Sequence, residues 1–357
     1  MTQETAIIIG SAIGAIISAI IAISVVFINR NYETKKDTEE KKIERDNALK
    51  LYSHPIIRAT EQLAWRLKEI LDYKASFLLP EAPKNDYYYY KTNSTIYRLC
   101  SLLGWLQASK RESSYFNTET TDQHNKIQDS IGRFRNILAD GDQTEVSILN
   151  YLAKLFSINI SELNQDKKTR LGVKLESVIF KYISTNVKAD VKKLTSPEKH
   201  EMLKEILNKT TSEVNKTPIS ELTINENIET AIIEISRKFW WIYRDWQYAV
   251  GDLMLTNIEG GERKFDIIGY GVFINKIENG EKAEKDWIEK ISKLFKDLDV
   301  SISDRFDLRV DQLKLLFKQL IIVIEAFRQL DTNQNTITNK SFDELKNFAT
   351  SLEIHEN

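Results

Sequence analysis

AIIIGSAIGAIISAIIAISVVFI, residues 6–28, is the stretch whose reading decides the architecture. It holds no charge and no proline, and its first aromatic is Phe27. A helix over it reaches about 35 Å, enough to cross a hydrocarbon core of about 30 Å with some tilt. The run predicts a transmembrane helix. The alternative is a cleaved signal peptide, and three features weigh against it. The preceding residues, MTQET, carry no Lys or Arg. The run is longer than an h-region of about 7–15 residues, and no small-residue cleavage site closes it.

Charge on either side sets the orientation. Glu4 is the one charged side chain upstream, whereas Arg30, Lys35, Lys36, Lys41, Lys42, Arg45 and Lys50 follow the run. Basic residues close to a membrane end stay cytoplasmic, and acids count little. The expectation is a bacterial inner-membrane protein with residues 1–5 outside and the main body in the cytoplasm. A single cysteine, Cys100, excludes an internal disulfide and suits a reducing compartment. Along the run, Gly10, Gly14, Ser18 and Ala22 recur every fourth residue on one helix face. Small side chains let two such helices approach closely, so this stripe predicts self-association and a homo-oligomer.

Residues 29–52 mix those basic side chains with Glu33, Asp37, Glu39, Glu40, Glu44 and Asp46. Apolar residues do not recur at heptad spacing, so a coiled coil is not expected. Opposite charges at helical spacing, such as Asp37 and Lys41, predict a solvated helical stalk. The interleaved acids argue against an anionic-lipid patch.

Residues 53–357 hold the cytoplasmic domain. Composition is 42% apolar and 10% aromatic, with only 5 Pro and 12 Gly, which favours long helices over a sandwich rich in turns. The net charge of −2 gives no global field for nucleic acid, which is disfavoured as a partner. The abundance of Ile, Lys and Asn fits an AT-rich bacterial genome. The fold class expected is mainly α: a transmembrane helix and stalk, then a multi-helix bundle with at most a short β-hairpin.

Helical spacing sets the expected elements. Ser53-His54-Pro55 is read as a break before a helix carrying Ile56, Leu63, Leu67 and Ile70. Tyr87 to Tyr90 are read as a polar loop. Ile96, Leu99, Leu103 and Leu106 mark a helix, as do Ile127, Ile131, Phe134 and Leu138. Asp140-Gly141-Asp142 is read as a turn. Residues 184–225, poor in large apolar side chains, are read as a peripheral polar insertion with Ser196-Pro197-Glu198 opening a helix. Ile228, Ile232, Ile235, Phe239, Ile242, Trp246, Ala249 and Leu253 alternate steps of four and three, predicting one long helix. FDIIGYGVFI, residues 265–274, is read as a strand pair or extended segment. Leu313, Leu316, Leu320, Ile324 and Phe327 predict a helix that is buried rather than a second span, since Lys318 and Glu325 flank its apolar run. A last helix covers 342–352.

No metal pattern is readable in the four histidines, and no Walker, GxGxxG or GxSxG motif is present, so no cofactor and no catalytic residue is expected. One polar set stands out: Arg244, Gln247 and Asp252, beside Trp240 and Tyr248. On one continuous helix Trp240, Arg244 and Tyr248 share a face, which places a guanidinium between two rings, able to grip a carboxylate or phosphate. A buried arginine that fixes helix packing is the competing reading.

The block from Arg244 to Met254 (RDWQYAVGDLM), with Gly269-Tyr270-Gly271-Val272-Phe273, Pro55 to Ala59, and Leu103-Gly104-Trp105, resembles an uncharacterised family of bacterial proteins. Those have one amino-terminal membrane helix and a helical cytoplasmic body. The resemblance implies an architecture and carries over no catalytic role. The function expected is a membrane-anchored, self-associating sensor, scaffold or effector, non-enzymatic and open to a protein partner. Signalling or anti-phage defence would be one instance. The alternative is an enzyme or small-ligand sensor with a site around Arg244 and Asp252.

Overall fold

The structure is a computed structural model that describes residues 30, 32–36, 40, 50–72, 75–79, 81–83, 85–113, 122–139, 144–185, 191–237, 240–301, 309–330 and 336–353. The apolar run 6–28, with Gly10, Gly14, Ser18 and Ala22, lies outside the described residues, as do residues 1–5, most of the stalk and the Asp140–Asp142 turn. Among the described residues no helix is long and apolar enough to cross a membrane. Residues 30, 32–36 and 40 of the expected stalk are helical and exposed.

The described chain is mainly helical with one two-stranded sheet. Helix α1 occupies 50–71. It runs through Pro55 without the break expected at Ser53–Pro55. A mid-helix proline removes one backbone hydrogen bond at a cost of about 3 kcal/mol. Here Tyr52 on one side and Ile56 and Ile57 on the other are fully buried, and their packing outweighs that cost.

Helix α2 spans Asp86–Ser113 and begins within the stretch read as a loop. Tyr87 to Tyr90 form its first turns. Asn85 makes this start, its side-chain oxygen accepting from the Tyr88 N–H at 3.1 Å. Helix α3 (Asp122–Leu138) follows.

Four helices then build a core of their own: α4 (Thr144–Leu155), α5 (Gln165–Thr185), α6 (Ser196–Glu213) and α7 (Glu221–Arg237). This corrects the peripheral insertion expected at 184–225. Met202, Leu203 and Ile206 of α6 are fully buried against helices on both sides in sequence. A thin apolar stripe suffices because its neighbours supply the rest. Glu198 accepts from both the N–H and the hydroxyl of Thr195, so the cap lies one residue earlier than Ser196.

The long helix expected from Ile228 to Leu253 is two helices. Helix α7 ends at Arg237, and α8 is Arg244–Met254. Ile232 and Ile235 belong to the second core, whereas Ile242, Val250 and Met254 belong to the first. Between them Trp240, Trp241 and Ile242 are buried in non-helical backbone, and the Ile242 N–H donates to the Leu138 carbonyl at 2.8 Å. That bond ties the return from the second core to its departure point.

Strands β1 (Leu255–Asn257) and β2 (Phe265–Ile267) form an antiparallel hairpin with Leu255 opposite Ile267. Gly260, at φ +73°, turns it. The extended segment expected through Ile274 stops at Ile267. Tyr270–Asn279 is helix α9, capped by Gly269, because Tyr270, Phe273, Ile274 and Ile277 fall at helical spacing. Helices α10 (Lys282–Ser292), α11 (Arg309–Arg328) and α12 (Asn339–Ser351) complete the first core. Leu313, Leu316, Leu320, Ile324 and Phe327 of α11 are all fully buried. Helix α11 lies along α3, where Gln312 and Gln319 donate to the Ile137 and Ser130 carbonyls, each at 2.9 Å.

Candidate functional site

The candidate site sits where α2 crosses α8. Two glycines set how close the helices come. A Cβ on Gly251 would meet Gln107 Cβ at 2.9 Å and the Leu103 carbonyl at 3.0 Å. One on Gly104 would meet Met254 Cβ at 2.8 Å. With no Cβ at either position the backbones approach, and the carboxyl-terminal half of α2 is laid beside α8.

The structure separates the five residues singled out in the sequence. Trp240 is not helical and faces Lys192 and Arg309, whose charges lie 4.8 and 5.1 Å from its ring centroid. The stack of Arg244 between Trp240 and Tyr248 is therefore not formed; it required the helix to continue through 240. Gln247 is fully buried, and its amide donates to the Arg135 carbonyl at 3.0 Å and the Ile242 carbonyl at 2.7 Å. It holds the start of α8 to the end of α3. Asp252 accepts from Gln107 at 2.7 Å and pairs with Arg111 at 2.9 Å. Both members of that ion pair are half-exposed, so it contributes under about 1 kcal/mol.

Arg244 and Tyr248 remain together, joined by two cations the sequence reading did not select. The Lys110 ammonium is 4.0 Å from the Tyr248 ring centroid and the Arg135 guanidinium 4.4 Å. Arg244 donates to the Asn136 side-chain oxygen one residue beyond Arg135. Burial alone pushes the Tyr248 phenol up. The hydrogen bond from Lys110 and the charges of Arg135, Lys110 and Arg244 outweigh it, holding the phenol below its ordinary 10.0. Arg135 is 5% exposed, and its Nη1 makes no hydrogen bond. Burial pulls its guanidinium below the usual value, and the Arg244 charge adds to that.

A signal for Arg135 was present in the sequence. It falls four residues after Ile131 and three before Leu138, on the apolar stripe of α3. A cation on a core-facing stripe needs a partner or a purpose. Lys110 carried no such signal, because only the α2–α8 crossing brings it to Tyr248.

A separate cleft of about 650 Å³ opens between the Ser76–Leu78 turn, the start of α2 and the end of α10. Its apolar wall includes Phe77 and Phe295, and its rim mixes Asp86 and Asp297 with Lys296. That rim carries two acids against one base, whereas cations gather around Tyr248. Among the described residues no three His, Cys, Asp or Glu side chains are placed to hold a metal ion. Compared with known proteins, the chain matches no protein-family model, no curated protein and no solved structure.

Proposed function

We propose that the chain is a single-pass bacterial inner-membrane protein whose helical cytoplasmic body acts as a self-associating sensor, scaffold or effector. The observation that carries this is the uncharged apolar run from Ala6 to Ile28, followed by a flank rich in Lys and Arg. Its amino terminus lies outside. The helical, exposed residues at 30, 32–36 and 40, with Lys36 and Glu40 paired at 3.8 Å, fit a solvated stalk leading from membrane to body. The resemblance to bacterial proteins of the same plan points the same way, with signalling or anti-phage defence as instances.

The reading is non-catalytic. Asp252 is engaged by Arg111 and Gln107, so the acid of the alternative site is spent on helix packing. Cys100 is fully buried, and burial drives its thiol far above the ordinary range, which suppresses the nucleophilic thiolate.

Two measurements test the reading. Carbonate washing of membranes should leave the chain in the pellet, and detergent should release it; a chain found in the medium or in the wash would overturn the anchor. Crosslinking in membranes should give several-fold less dimer when Gly10→Leu and Gly14→Leu are combined. Equal yield would remove self-association and leave the anchor standing.

A further inference from the structure

We infer that the cleft between the Ser76–Leu78 turn, the start of α2 and the end of α10 is a binding site for an organic amine with an aromatic body. The inference does not depend on the membrane anchor. It starts from a wall built by one face of a helix. Asp86, Tyr89, Asn93 and Ile96 follow one another along α2 at steps of three and four, and all line the cleft. They grade from exposed Asp86 and Tyr89 to buried Asn93 and Ile96. Phe77 and Phe295, also buried, supply apolar surface from the turn and from the chain after α10. These walls are tied to one another. The Thr92 hydroxyl donates to the Phe77 carbonyl at 3.3 Å, which holds α2 to the turn. The Leu298 N–H donates to the Leu78 carbonyl at 2.9 Å, which holds the chain after α10 to the same turn. The Arg309 guanidinium donates to the Asp297 carbonyl at 3.0 Å and fixes that chain to α11. The cleft is therefore preformed at about 650 Å³, within the range of roughly 300–1,000 Å³ for pockets that take small organic molecules.

The walls select an apolar body, and the rim selects its charge. Among the described residues that line the cleft, the charged ones are Asp86, Asp297 and Lys296, and no side chain of the three is engaged in an ion pair or a hydrogen bond. Two carboxylates against one ammonium leave an excess of negative charge. Glu278, which accepts from the Tyr89 hydroxyl at 3.0 Å, adds another carboxylate beside the mouth. Arg66 and Lys91 stand 5.5 and 5.2 Å from the Phe77 ring centroid, but neither lines the cleft and both pair with Glu69. A protonated amine meets the free carboxylates, and aromatic rings such as those of Tyr88 and Tyr89 suit a cation as well. An anionic ligand would meet the same carboxylates unfavourably.

The test uses the full chain purified in detergent and para-fluorophenethylamine as probe, followed by fluorine NMR against a protein-free detergent blank. The matching alcohol keeps the ring and replaces the ammonium by a hydroxyl. The amine should bind saturably, about tenfold more tightly than the alcohol. Asp86→Asn and Asp297→Asn should each weaken the amine about threefold, the effect of one exposed charge pair, and leave the alcohol unmoved. Asparagine also adopts the left-handed conformation that Asp297 holds at φ +53°, so the second variant keeps the backbone. Lys296→Gln should tighten the amine by a similar factor. Ala82→Trp, at a half-buried position in the lining, should fill the cleft and weaken both probes. No saturable binding, an alcohol that binds as tightly as the amine, wild-type affinity for the amine in both asparagine variants, or undiminished binding in an Ala82→Trp protein of native helicity would overturn the inference.

Discussion

The Tyr52 hydroxyl donates to the buried Glu112 carboxylate at 2.6 Å and accepts from the Phe265 N–H at 3.2 Å. It links α1, α2 and β2 through one oxygen. Tyr52→Phe keeps the ring, leaves the carboxylate with the Lys264 N–H at 3.2 Å, and removes the hydroxyl that the carboxylate and the Phe265 N–H both use. We predict a loss of about 2 kcal/mol in urea unfolding, since a hydrogen bond to a buried charged group is worth more than an average one. Cys100 gives a second expected outcome: native protein should resist iodoacetamide at neutral pH and react once unfolded, because its thiol is fully buried and held up by that burial. Tyr248 gives a third, with a defined sign. Its folded value lies below the ordinary 10.0, so the folded state releases this proton first as pH rises. Its contribution to stability is absent below the folded value, grows through it, and is complete above 10. Subtracting the stability of Tyr248→Phe from that of wild type, from neutral pH to pH 10, should leave a difference that rises with pH. A flat or falling difference would show that the cations do not act on the phenol. The subtraction matters, because Tyr89, Tyr182 and Tyr270 are shifted up and oppose the trend.

At the scale of elements, two glycines on different helices make opposite predictions. Gly251→Ala drives a methyl into Gln107 and the Leu103 carbonyl, and backbone cannot yield as a flexible side chain can. It should destabilise by about 1–3 kcal/mol. Gly132 lies inside α3 with nothing within 4 Å of an added Cβ, so Gly132→Ala should stabilise by about 0.5–1 kcal/mol. Thermal melts of both variants read the contrast directly. The same comparison shows what periodicity reveals. Helix α11 was legible because its stripe faces one core along its whole length. The division between α7 and α8 was not, because steps of three and four run on from Ile235 to Ile242 although the two isoleucines face different cores. Spacing reports that a residue is buried, not against what. The tyrosine run was misread because the Asn85 cap, rather than hydrophobicity, starts α2. The candidate site suffered from the same limit. Arg244 and Tyr248 were visible as neighbours on one helix turn, whereas Lys110 joins them through a crossing set by Gly104 and Gly251.

Among the described residues, one core is interrupted by another. The described residues within 50–139 and 240–353 build the first core, and α4 to α7 between them build the second. The interruption enters after Leu138 and returns before Ile242, and a backbone hydrogen bond of 2.8 Å joins those two residues. Trp240 is the bridge, facing Lys192 from the inserted helices and Arg309 from α11. Arg309 is itself fixed by the Lys293 carbonyl at 3.1 Å and the Asp297 carbonyl at 3.0 Å. Segments with their own core and adjacent ends behave as inserted domains. Replacing residues 140–239 by a short Gly-Ser loop should therefore leave the rest of the chain folded, with the Leu138–Ile242 bond closing the gap. Residues 144–237 expressed alone should be helical and melt cooperatively. Circular dichroism on both pieces checks this. If either piece proves unfolded, the two cores depend on each other and the molecule is one cooperative unit. If both fold, the shortened chain should still sediment with membranes, since α1 lies on the amino-terminal side of the first core and connects it to the apolar run without passing through the second.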